Sequence, residues 1–156
     1  MTSLNPQDTF VPGRLQQMST RIAFFIAGLG IAAWAPLVPY AKARAGLDEG
    51  TLGLLLLCLG VGSILAMPLA GMLATRFGCR RVATGGTLLI CAALPLLATV
   101  SSIPALIATL FMFGAGLGTV DSTVNLQAVI VERASGKTMM SGFHGLFSLG
   151  GIVGAA

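Results

Sequence analysis

Asp121 and Asn125 stand four residues apart in the stretch GLGTVDSTVN, within an apolar run from Pro104 to Val131. A carboxyl can exchange a proton and accept hydrogen bonds from a polar solute. An amide four residues on can bond to that carboxyl or to the same solute. On a helix, positions i and i+4 share one face, about 6 Å apart along the axis. Gly114 and Gly118 extend the stripe by steps of four and three. Glycine at such positions lets a neighbouring backbone approach closely. Two roles fit the polar end: packing glue between helices, or a site that binds a solute and a proton.

The medium around the stripe decides how unusual an acid is there. The chain has 156 residues, 55% hydrophobic and 9% charged, with a mean hydropathy of +0.91. Water-soluble domains carry about 25% charged residues, so this chain cannot cover a watery surface. A helix needs about 20 apolar residues to cross about 30 Å of hydrocarbon. Runs of that kind extend over about 22–40, 51–75, 82–100 and 104–131, and a fifth begins near 139 and is still apolar at 156. None alternates apolar and polar with period two, as a membrane barrel would. Helices are then the way to satisfy the backbone away from water. The expectation is an all-α, polytopic membrane helix bundle with four complete transmembrane helices and an incomplete fifth. A polar cytoplasmic N-terminal tail, residues 1–20, precedes it. Run one exceeds the 7–15 residue core of a cleaved signal peptide.

Other function classes lose support. The net charge of +4 comes from basic residues at the ends of apolar runs, which reads as topology and not as a nucleic-acid surface. Cys58, Cys79 and Cys91 show no CxxC spacing and His144 is the one histidine, so no metal site is expected. No nucleophile–base pair stands out, so no enzyme and no cofactor are expected. The partners implied are a lipid bilayer and a small solute, with H+ a candidate, and no nucleic acid.

Counting Lys and Arg around the short loops gives seven on one side: Arg14, Arg21, Arg76, Arg80, Arg81, Arg133 and Lys137. The other side receives Lys42 and Arg44. The positive-inside rule places the seven, and the N-terminus, in the cytoplasm. Four of the five acids also fall in loops or tails, which leaves Asp121 alone inside a span.

The runs also compare with one another. Phe24–Gly30 overlies Met112–Gly118 at a shift of 88, and Leu59-Gly60 overlies Leu149-Gly150 at a shift of 90. Run four thus reads as a repeat of run one, and run five of run two. The repeat puts the end of run five beyond Ala156, so the chain reads as the front part of a longer protein. A truncated membrane protein with only a structural or interaction role is the alternative.

The end of run two reads GMLATRFGCRR, from Gly71 to Arg81. This short basic turn between two spans resembles the loop signature of the major facilitator superfamily between its second and third helices. Gly71, Leu73, Arg76, Gly78, Arg80 and Arg81 match, while Thr75 occupies the family's acidic position. The resemblance implies a secondary transporter working by alternating access. It also implies a conformational latch against a second, C-terminal half that is missing here, weakened by the loss of charge at Thr75. The acid–amide pair Asp121 and Asn125 resembles the fourth helix of fucose-permease-like transporters. Ser141–Gly151 resembles the start of helix five in YbjJ-like bacterial inner-membrane transporters. These likenesses imply a proton-coupled symporter of a small polar, sugar-like solute, with Asp121 as proton acceptor. Trp34, beside Pro36 and Pro39, fits either a packing role or a stacking platform for a sugar. Ser122, Thr123 and Gln127 are further polar groups near the site. His144 reads as a bystander at a loop edge.

Overall fold

The structure, a computed structural model, describes residues 13–156. Residues 1–12 of the expected tail lie outside the described part. The first helix, α1 (Arg14–Ala32), already begins inside that expected tail. Helical hydrogen bonds do not require apolar side chains, so the helix extends past the apolar run. The expected continuous span to residue 40 is interrupted. A 3-10 turn at Ala35–Leu37 and a short helix α2 (Val38–Ala45) follow α1. Pro36 and Pro39 explain the break, because each lacks the N–H a helix needs and its ring crowds the carbonyl four residues back.

Helix α3 (Glu49–Phe77) opens on Asp48, whose carboxylate accepts from the Thr51 N–H at 2.8 Å and the Thr51 hydroxyl at 2.9 Å. These bonds, the backbone one foremost, hold the Asp48 carboxyl below the usual Asp range. Then come α4 (Cys79–Thr99), α5 (Ile103–Ser135) and α6 (Met140–Ala155). Residues 14–45, α3, α4 and α5 are each long and apolar enough to cross a membrane. The all-α architecture expected from the apolar runs is therefore the one observed.

Helix α5 is the centre of the bundle. Thirteen of its residues are buried, against four in α3. It packs against α1, α3 and α4, while α6 lies along α1. The main core gathers Phe24 and Ala27 of α1, Leu55 of α3, Ile90 and Leu97 of α4, Phe113 and Val124 of α5, and Phe143 of α6.

Two helix pairs meet backbone to backbone. A Cβ on Gly62 of α3 would run into the Phe111 carbonyl and the Ala115 amide of α5. A Cβ on Gly150 of α6 would run into the Phe25 carbonyl and the Leu29 amide of α1. In the reverse direction, Gly114 sits on the Leu59 carbonyl and Gly28 on that of Phe147. Each α5 residue here lies 86 beyond its α1 counterpart, and each α6 residue 88 beyond its α3 counterpart. The repeat is thus present in the packing, but its register is two residues away from the sequence match. The sequence match followed the string of glycines, whereas the packing is set by which glycine meets a carbonyl. In both pairs the partners run parallel, since rising numbers in one helix meet rising numbers in the other. Four small-xxx-small patterns result: Gly28/Ala32, Gly62/Ala66, Gly114/Gly118 and Gly150/Gly154.

Candidate functional site

Gly114 and Gly118 press α5 against α3, at Leu59 and Ser63. Asp121 and Asn125 continue it, both half-buried. The Asn125 side-chain amide donates to the Asp121 backbone carbonyl at 2.9 Å and to its Oδ1 at 3.3 Å. The pair is therefore held within one helix. No ion pair reaches Asp121: among the described residues, the one ion pair joins Lys42 and Glu49 near the α2–α3 junction. The carboxylate has hydrogen-bonding capacity left, since an ionised acid can accept about four bonds.

Of the other polar candidates on α5, Thr123 is buried and donates back to the Thr119 carbonyl at 2.6 Å. That bond turns its hydroxyl towards its own backbone. Ser122 and Gln127 are half-buried. Trp34 is 7% exposed and lies in the core, its ring tilted against Phe113 at 6.4 Å. It follows Ala33 at the break between α1 and the 3-10 turn. His144 is exposed and meets Phe24 edge-on at 5.3 Å.

The loop motif forms a one-residue turn. Helix α3 ends at Phe77, Gly78 adopts φ 85°, and α4 starts at Cys79. A side chain at that φ would be strained, which accounts for the glycine. Ala70, Ala74 and Val82 form a small core here with Leu73, Cys79 and Leu126, tying the turn to α5. Gly71 has open space around it. The Thr75 hydroxyl donates to the Met72 carbonyl at 2.7 Å, within its own helix. Arg76 lies over the Phe77 ring at 5.3 Å, and Arg80 and Arg81 are exposed. The turn thus displays cations outward.

Two polar anchors escaped the sequence reading. Arg44 donates to the Leu97 carbonyl at 2.8 Å and to that of Val100 at 2.9 and 3.1 Å, closing the end of α4. In the sequence it reads only as a topology charge, because nothing local links residues 44 and 97. Glu132 accepts from the Met139 and Met140 amides at 2.6 and 2.7 Å, capping α6. An acid seven residues before an apolar run was the faint signal.

The chain matches the model of the Major Facilitator Superfamily over residues 21–156. It is 59% identical over 149 residues to an uncharacterized MFS-type transporter of Yersinia pestis, covering 96% of this chain and 39% of that one. It is 34% identical over 133 residues to an uncharacterized transporter of Sinorhizobium fredii, covering 85% and 35%. It is also 34% identical over 144 residues to the membrane protein MosC of Rhizobium meliloti, covering 92% and 35%. The chain therefore spans between about a third and two fifths of these curated relatives. No solved structure matches it. The glycine-packed helix pairs, the basic one-residue turn and the family match over residues 21–156 agree: this chain is a multi-pass membrane protein and belongs to the major facilitator superfamily.

Proposed function

We propose that this chain forms part of a secondary transporter, in which Asp121 and Asn125 face the path of a small polar solute and Asp121 carries a proton. The observation behind this reading is the hydrogen bonding of the pair. A packing acid would be tied to a neighbouring helix, because its role would be to join two elements. The Asp121 carboxylate is instead bonded by an amide of its own helix and is unpaired with any cation among the described residues. Keeping a charge in a span costs about 2.5–3.5 kcal/mol on insertion scales, and such groups mark solute or proton paths. Alternating access would let one carboxyl load a proton on one side and release it on the other. The core position of Trp34 favours packing over stacking on a sugar. The turn at Gly78 would work as a latch against the other half through Arg76, Arg80 and Arg81, without an acid at Thr75. The surplus of basic residues puts the N-terminus in the cytoplasm.

The test is Asp121→Asn in the full-length protein. Proton-driven accumulation should vanish while the protein inserts and folds, because the amide keeps the size and polar bonding. Solute exchange without a gradient should persist. Wild-type accumulation in this variant would sink the proton site and leave packing as its role. For orientation, a cysteine replacing Asp48 should react with an impermeant thiol reagent added outside intact cells, and one replacing Gly136 should not.

A further inference from the structure

A groove of about 550 Å³ opens at the N-terminal end of α1, against α6. Arg14 and Arg21 stand on it, and Met18, Ile22, Phe25 and Leu146 supply an apolar wall. Seven residues separate the two arginines, which is two helical turns, so both lie on one side of α1 about 10 Å apart. Both are exposed, and neither forms an ion pair among the described residues. The described acids are committed elsewhere. Asp48 caps α3 and Glu49 pairs with Lys42. Asp121 is bonded within α5, and Glu132 accepts the α6 amides. The groove is thus cationic at its watery end and apolar where α1 enters its hydrophobic run.

We infer that this groove binds an anionic phospholipid, its phosphodiester headgroup held by Arg14 and Arg21 and its chain lying along Ile22, Phe25 and Leu146. A free anion would satisfy the arginines and leave the apolar wall wet. A zwitterionic lipid would cover the wall but bring its own cation to the arginines. Basic pockets between membrane helices bind anionic headgroups on these grounds. The internal repeat supplies a comparison within the molecule. At the register of 86, Arg14 and Arg21 correspond to Val100, the residue that closes α4, and to Ile107 on α5. The one cation at that comparison site, Arg44, donates to the Leu97 and Val100 carbonyls, so the second helix pair repeats the packing without two cations free to hold an anion.

A fluorophore on a cysteine replacing Ile22, in an otherwise cysteine-free full-length protein, reads the groove. A second one replacing Ala108, the repeat counterpart of Ile22, reads the mouth whose cation, Arg44, is bonded to backbone carbonyls. The protein is placed in phosphatidylcholine vesicles carrying a minor share of brominated phosphatidylglycerol or brominated phosphatidylcholine. Quenching at position 22 should favour phosphatidylglycerol by about five-fold or more, since each basic residue near an anionic surface contributes about 1 kcal/mol. Position 108 should show no preference. Arg14→Gln with Arg21→Gln should abolish the preference at 22, and Arg80→Gln with Arg81→Gln should leave it intact. Added inorganic phosphate should not displace the lipid; displacement would show an anion site and overturn the lipid assignment. Equal quenching by both lipids, no quenching by either, or a preference that survives loss of both arginines would each overturn it as well.

Discussion

In the α3–α5 pair, Gly114 rests on the Leu59 carbonyl and Gly62 on that of Phe111; in the α1–α6 pair, Gly28 rests on Phe147 and Gly150 on Phe25. The two contacts superimpose at shifts of 86 and 88 residues. Beyond the glycines the pairs part company. Asp121 and Asn125 correspond to Ala35 and Pro39. In one copy the helix continues unbroken through a polar pair. In the other it breaks into a 3-10 turn at the same level. The packing was duplicated and the chemistry was not. Close backbone contact demands small residues at fixed spacing, and both copies must meet that demand to associate. Nothing in the contact dictates what lies one turn further along.

The harshest way to break the comparison is to fill the contacts. Gly62→Leu and Gly150→Leu each place a side chain where a carbonyl lies, and each should cost about 3 kcal/mol or more, since overpacking costs about 1–3 kcal/mol even for smaller additions. Loss of monodisperse, folded protein in detergent is the readout. If one of the two is tolerated, the pairs are not equivalent.

A milder series sharpens the register. Gly62→Ala should destabilise by about 1–3 kcal/mol. Gly60→Ala should be neutral or stabilise by up to about 1 kcal/mol, because a Cβ there meets nothing within 4 Å and alanine is the better helix former. Thermal melting of the two variants decides between the packing register, which pairs Gly62 with Gly150, and the sequence match, which pairs Gly60 with Gly150. The reverse order, with Gly60→Ala melting lower than Gly62→Ala, would restore the sequence match.

The two ends of α3 give effects of that size or smaller. Gly78→Ala forces a side chain into φ 85° and should cost about 1–3 kcal/mol, whereas Gly71→Ala, in open space, should melt like the wild type. At the other end, the lowered Asp48 pKa means that its capping stabilises the fold above the unfolded-state value and is lost as pH falls through the folded-state value. Asp48→Ala should therefore lower stability slightly at neutral pH and flatten its decline in acid. An unchanged acid limb would show that the cap adds nothing to α3, and the α3–α5 pair would then rest on its glycines alone.

The sequence by itself determined that the chain is helical and membrane-embedded, because apolar runs of span length with almost no charge leave the backbone no other partner. It also placed a short basic, glycine-containing loop between about residues 75 and 82, which the structure narrows to Gly78 alone. The stripe from Gly114 to Asn125 was legible because helical period alone puts those residues on one side. Only the tertiary structure decided the register of the repeat. Glycines recur so often in these runs that several alignments score alike, and the contact with a carbonyl on another helix selects among them. It also decided that Arg44 closes α4, a contact that no spacing along the chain announces, and that Glu132 caps α6, at which its spacing from the next apolar run only hinted. The place of Trp34 was of the same kind. A tryptophan beside a helix break can face a cavity or the core, and the Phe113 ring on α5, 79 residues away in sequence, settled it for the core.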